Sequence, residues 1–159
     1  MNWSQLFHSK PKAAPQTIRE GRHSVRLLII TTDDGFFKRM EAVASDSGWH
    51  VQRANSLQEA ENLLQLRSGP LVILDWERLA QDWRPDLARL TALNEDLCVF
   101  LVSRVLDDNL WQELIRHGGY DVLLRTAEPE EMRRDIAFAW FWMGRSNREL
   151  HPDREIKHS

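Results

Sequence analysis

The sequence predicts an α/β fold: an open, doubly wound parallel sheet of five strands, in the order 2-1-3-4-5, with helices on both faces. Three observations carry this expectation. Short uninterrupted apolar runs at Leu27–Ile30, Leu71–Leu74 and Val99–Val102 mark strands buried on both sides. Between them, apolar residues recur at helical spacing behind capping residues. The alternation repeats five times within about 120 residues, too few for an eight-fold barrel, and right-handed crossovers then set the strand order.

Each element has its own justification. The first strand is Leu27-Leu28-Ile29-Ile30. Asp33 or Asp34 caps a helix whose Phe36, Phe37, Met40 and Val43 share a face, and Gly48 suits its exit. His50–Ala54 alternates more weakly and belongs nearer an edge. Ser56-Leu57-Gln58-Glu59 forms a capping box before Ala60, Leu63 and Leu64, and Gly69-Pro70 stops that helix. Leu71–Leu74 is a second buried strand, ending on Asp75. Pro85-Asp86 opens a helix through Leu87, Leu90 and Leu93. Val99–Val102 is the fourth strand. Asp107 or Asp108 caps a helix carrying Leu110, Trp111, Leu114 and Ile115, closed by Gly118-Gly119. Val122–Leu124 is the fifth strand. Pro129-Glu130-Glu131 begins the last helix, with acids where the helix dipole favours them.

Composition narrows the function. At 159 residues, 42% hydrophobic and 28% charged, the chain has the makings of one globular domain with tails. The formal charge of -3, from 21 basic and 24 acidic side chains, supplies no overall positive field, so nucleic acid is not the expected partner. No apolar run has the roughly 20 residues a membrane helix needs, so no membrane partner is expected. The start of the chain lacks a secretory pattern, and a single cysteine, Cys98, allows no intrachain disulfide; both fit a cytoplasmic setting. Three regions are expected: a flexible, mildly basic arm at 1–23 broken by Pro11 and Pro15, an organised domain at 24–143, and a polar tail at 144–159. The sequence shows no internal repeat, no Gly-rich phosphate loop and no GxGxxG. Its six histidines lack metal-ligand spacing, and Ser103 has no evident histidine base, so an enzyme is not expected.

In a doubly wound sheet, ligands meet the carboxyl ends of the strands. There the sequence places Thr31-Thr32, Asp75-Trp76-Glu77, Ser103-Arg104 and Arg125-Thr126. Thr32 to Gly48 is 16 residues, Gly48 to Asp75 is 27, Asp75 to Ser103 is 28 and Ser103 to Arg125 is 22. With the run Gly118-Gly119-Tyr120-Asp121-Val122-Leu123-Leu124-Arg125, this register resembles the receiver domain of bacterial two-component response regulators, over residues 25 to about 143. The expected fold is therefore receiver-like, within the wider flavodoxin-like group.

The resemblance implies roles. Asp75 matches the phosphoaccepting aspartate, whose carboxylate attacks a phosphoryl donor. Ser103 matches the hydroxyl residue and Arg125 stands for the basic residue, normally lysine; both would contact the phosphoryl group. Arginine keeps the charge but changes its shape. The adjacent acids that hold Mg²⁺ in receivers are replaced by Thr31 and Thr32, so Mg²⁺ is expected to bind weakly, through Asp75, with Glu77 and Asp33 as further candidate ligands. Asp33 and Asp34 read first as helix caps. Glu77 can alternatively pair with Arg104 or Arg125. Trp76 is bulky beside the site, Thr126 replaces a proline, and Val122 replaces the switching aromatic of many receivers.

The expected function is that of an atypical receiver in phosphorelay signalling, acting through protein contacts with phosphorylation at Asp75. The alternative is a pseudo-receiver, an unphosphorylated interaction or scaffold domain; a small-molecule binder is a third reading. Expected partners are a sensor histidine kinase or another signalling protein, and a second copy through the last helix. On that helix Met132, Ile136, Ala139, Trp140 and Met143 form a stripe for the sheet. Phe138 and Trp142 are left on a flank and Phe141 on the far side, as an interface. Trp3, Leu6 and Phe7 of the arm are the intramolecular alternative for covering them.

Overall fold

The computed structural model describes residues 24–66, 70–79 and 82–150, with side chains up to 77 and from 82 to 143 in the two later stretches. The arm at 1–23, with Trp3, Leu6 and Phe7, and the residues after 150 lie outside the described residues, as does Gly69 of the expected helix stop.

The five strands are β1 (Arg26–Ile30), β2 (His50–Ala54), β3 (Leu71–Leu74), β4 (Cys98–Ser103) and β5 (Asp121–Leu124). They form one parallel sheet in the order β2-β1-β3-β4-β5, as the hydrophobic runs predict. The helices are α1 (Asp34–Ser47), α2 (Leu57–Leu66), α3 (Trp76–Leu79), α4 (Arg84–Leu93), α5 (Asp108–Arg116) and α6 (Pro129–Leu150). Strand alternation sorts the core into two layers. Leu27, Ile29, Leu71, Ile73, Phe100, Val102 and Leu123 face α1 and α6, meeting Phe36, Met40 and Ala44 of the first and Met132, Ile136 and Ala139 of the second. Leu28, Ile30, Val72, Leu74, Val99 and Leu101 face the other way, onto Ala60 of α2, Leu87 and Leu90 of α4 and Leu114 of α5. The expected stripe of α6 thus packs on the sheet, with Trp140 and Met143 at its margin.

The caps follow the sequence closely. Asp33, rather than Asp34, caps α1, its Oδ1 accepting from the Phe36 N–H at 3.1 Å. Asp107, rather than Asp108, caps α5 by accepting from Asn109 N–H at 2.9 Å. At α2, Ser56 accepts from Glu59 N–H at 3.1 Å, while the Glu59 carboxylate reaches one residue further back than a standard capping box, to Asn55 N–H at 2.9 Å. Three features differ from expectation. α3 is an extra turn directly after Asp75, where four residues are too few to reveal a period. Leu93 and Ile115, assigned to helical faces, sit in the last turns of α4 and α5 and are exposed. α6 continues to Leu150, past the boundary expected at 143.

Two glycines are required for different reasons. Gly48 leaves α1 at φ 70°, with open space where a Cβ would stand. At Gly119 a Cβ would collide with Leu114 Cδ1 and stand 2.5 Å from its Cγ. Gly48→Ala should therefore lose about 1–2 kcal/mol, the left-handed backbone penalty alone. Gly119→Ala should lose about 1–3 kcal/mol through overpacking against a buried leucine. Urea unfolding of the two variants measures both.

Cys98 opens β4 and is 5% exposed. Burial, then the nearby Asp121 charge, pushes its thiol up to about 12. The native state thus favours the protonated thiol: the fold keeps its full stability below the ordinary thiol range and loses stability as pH rises from that range towards 12, because there the unfolded chain ionises and the folded one does not. At pH 8 a disulfide reagent should label Cys98 only as fast as the chain unfolds, and labelling kinetics across a urea series measure this.

Candidate functional site

The carboxyl ends of β1, β3, β4 and β5 bring together Thr31, Asp75, Ser103 and Arg125, all buried. Three of them are fixed by the backbone of a neighbouring strand. Thr31 N–H donates to Ala54 O at 3.0 Å, Asp75 N–H to Ile30 O at 2.9 Å and Arg125 N–H to Ser103 O at 2.8 Å. The parallel ladder thus continues one residue past β1, β3 and β5, and it delivers these polar side chains to one end of the sheet.

Asp75 is the centre of the arrangement and is 0% exposed. A buried carboxylate is costly unless paired and hydrogen-bonded. Both of its oxygens are engaged: Oδ2 accepts from the Thr31 hydroxyl at 2.7 Å, and Oδ1 accepts from Nη2 of Arg125. The other terminal nitrogen of Arg125 donates to Asp33 Oδ2 at 2.9 Å. Its Nε lies 3.7 Å from Glu77 Oε2, too far for a hydrogen bond, and both atoms are buried without a hydrogen-bond partner. The guanidinium also stands 5.1 Å above the ring of Phe36, a cation–π distance.

The surrounding loops hold this cluster in place. Asp33 serves two groups at once, capping α1 with Oδ1 and pairing with Arg125 through Oδ2. The Thr31 hydroxyl that donates to Asp75 accepts from Asp33 N–H at 3.0 Å. Arg39 of α1 donates to the carbonyls of Arg125 at 2.7 Å and Ala127 at 3.0 Å. Arg53, near the end of β2, donates to Thr31 O at 3.2 Å and pairs with Asp34 at 2.7 Å. Glu77 accepts from Arg104 N–H at 3.0 Å and lies 3.3 Å from Arg104 Nε. The pairing expected between Glu77 and the two arginines is thus present, tight to Arg104 and looser to Arg125.

Other expected site residues stand differently. Ser103 adjoins Arg125 through the strand pairing, but its hydroxyl turns to its own loop, donating to Val105 O at 2.9 Å and accepting from Val105 N–H at 3.2 Å. Thr32 is exposed, while Thr31 carries the contact to Asp75. Trp76 is half-buried against the layer containing Ile30 and Leu74, and its buried Nε1 has no hydrogen-bond partner. No cis peptide follows Arg125. Sequence reasoning misses Arg39 and Arg53. Their only signal is positional: Arg53 stands one residue before the end of the strand beside β1, and Arg39 lies three residues after Phe36 on α1.

The residues present do not fit a bound Mg²⁺. Magnesium takes near-octahedral oxygen ligands with carboxylate anchors. Here the oxygens of Asp75 are taken by a hydroxyl and a guanidinium, and the space between Asp33, Asp75 and Glu77 is filled by Arg125. Among the described residues no group of three His, Cys, Asp or Glu side chains is arranged to hold a metal ion.

No protein-family model matches the chain, and no curated protein matches it in sequence. Solved structures do. The CheY-like response regulator receiver domain protein from Methanospirillum hungatei aligns with a TM-score of 0.69 at 13% identity, over 78% of this chain and 99% of that one. The Vibrio cholerae chemotaxis protein CheY4 aligns with a TM-score of 0.64 at 15% identity, over 72% and 97%. The beryllofluoride-activated NtrC4 receiver domain dimer aligns with a TM-score of 0.68 at 19% identity, over 74% and 98%. The fold is that of CheY-like response regulator receiver domains, as the spacing of strand-end residues predicts. None of the described helices is long and apolar enough to cross a membrane.

The Thr31–Asp75 hydrogen bond joins a buried hydroxyl to a buried carboxylate. Thr31→Val, close in shape but without the donor, should lower stability by about 1–3 kcal/mol, as expected when a buried charged acceptor loses a partner. Chemical denaturation of the variant beside Thr31→Ser, which retains the hydroxyl, measures the loss.

Proposed function

We propose that the protein is a receiver-type signalling domain of two-component pathways that works through protein contacts, with its phosphoacceptor position closed rather than phosphorylated. The observation that carries this reading is the state of Asp75: fully buried, with one oxygen held by Arg125 and the other by Thr31. A carboxylate nucleophile needs an oxygen free to reach phosphorus and cations free to neutralise the incoming donor. Arg125 is already committed to Asp75 and Asp33, and the Ser103 hydroxyl to Val105. The receiver fold remains a rigid surface for a sensor kinase or another signalling protein.

A second reading, phosphorylation at Asp75, is favoured by position. Asp75 terminates the middle strand of the sheet between Thr31 and Ser103, with a cation alongside. Intact mass after incubation with acetyl phosphate and Mg²⁺ separates the two. The closed site predicts an unchanged mass. A phosphoryl adduct that disappears in Asp75→Asn would establish the second reading instead.

The contact surface we assign is the aromatic flank of α6. Trp142 is 41% exposed and stands edge-on to Phe138 at 5.9 Å and to Phe141 at 6.1 Å. Large aromatics carry much of the energy of protein interfaces. The NtrC4 receiver to which the chain is similar is a dimer, which supports a second copy as one occupant of this flank. Phe138→Glu with Trp142→Glu should abolish association while leaving the circular dichroism spectrum unchanged. Sedimentation of the 159-residue chain and the variant tests this: a chain that stays monomeric and captures no signalling partner removes the assignment.

A further inference from the structure

Helix α2 meets the sheet at one end of β2 and stands off it at the other. His50, Gln52 and Ala54 share one face of β2, because their partners in β1, Arg26, Leu28 and Ile30, alternate onto the layer that α2 covers. Ala54 is buried in that layer with Ala60 of α2, two small side chains that let strand and helix approach closely. His50 and Gln52, towards the start of the strand, are exposed. Ala60 is also the one buried residue of α2; Leu63 and Leu64, a turn further on, are half-buried. What separates them is a cleft of about 560 Å³, bounded by the starts of β1 and β2, the later part of α2, and Pro70 just before β3. It lies at the opposite end of the sheet from Asp75.

The two sides of the cleft differ in chemistry. The strands contribute a guanidinium, an imidazole and an amide, from Arg26, His50 and Gln52; the helix and the chain before β3 contribute the apolar side chains of Leu63, Leu64 and Pro70. None of the described lining residues is acidic. The volume falls in the range of small-molecule sites, roughly 300–1,000 Å³, and such sites pair apolar walls with a few polar groups that fix orientation. Arginine binds a carboxylate through charge-assisted hydrogen bonds, and an apolar body laid on two half-buried leucines removes their remaining surface from water. We propose that this cleft binds amphipathic monocarboxylates, with the carboxylate at Arg26, His50 and Gln52 and the apolar body against Leu63 and Leu64. The inference goes beyond the signalling reading and shares no residue with the Asp75 cluster, so either can fail without the other.

The test is a titration of the 159-residue chain with octanoate, followed through backbone amide NMR shifts, beside octylammonium, which carries a comparable tail and the opposite charge. Octanoate should shift the amides of Leu27, Leu28, Val51, Gln52, Leu63 and Leu64 saturably, and should bind at least about tenfold more tightly than octylammonium. Gln52→Glu, which adds a carboxylate to the cleft at an exposed position, should weaken octanoate binding at least about tenfold while the melting temperature stays unchanged. Arg26→Gln should weaken it by a similar factor, and decides the matter should Gln52→Glu not fold. The proposal is overturned by the absence of saturable shifts at these amides, by shifts confined to the aromatic flank of α6, or by equal affinity for the two probes. A folded Gln52→Glu or Arg26→Gln chain that binds octanoate as tightly as the parent overturns it as well.

Discussion

A carboxylate with no access to water terminates the middle strand, and the architecture of that end of the sheet answers to it. Asp75 can remain charged there only with donors on its oxygens. Thr31 supplies one from the adjacent strand end and Arg125 the other from two strands away. The demand then propagates. Arg125 cannot be buried alone, so Asp33 and Glu77 stand beside it, and Phe36 and Arg39 of α1 hold it in position. The start of α1 and the end of β5 are joined by this chain of charge compensation as well as by the apolar layer beneath.

Such a cluster contributes less to net stability than its number of contacts suggests. Ions withdrawn from water lose solvation that their mutual attraction offsets only in part, while removal of a single partner leaves a charge stranded. Its contacts tie the ends of β1, β3 and β5 to one another. Thr31 fits this scheme. Beside Arg125 a hydroxyl satisfies Asp75 without adding another negative charge.

The fold is legible in the sequence because its signals are large and redundant. Continuous apolar strands, alternating helical faces and the Gly48 exit all indicate one topology, and register alone carries Asp75, Ser103 and Arg125 to neighbouring strand ends. Side-chain direction is less legible. Whether the Ser103 hydroxyl faces Asp75 or its own loop depends on a rotation that no spacing encodes. Sequence reasoning sets helix capping by Asp33 against metal ligation; a carboxylate has two oxygens, and here one caps the helix while the other faces Arg125. The α3 turn leaves no trace in the pattern because one turn is shorter than the period that would announce it.

The segment between β1 and α1 holds opposite signs of the same cluster. Thr31 faces the anion and Asp33 the cation, with a single residue between them, and the Asp33 N–H is bonded to the Thr31 hydroxyl. The segment behaves as a caliper whose two tips are set by chain length. Gain or loss of one residue there would misplace both tips together and shift the first turn of α1 with them.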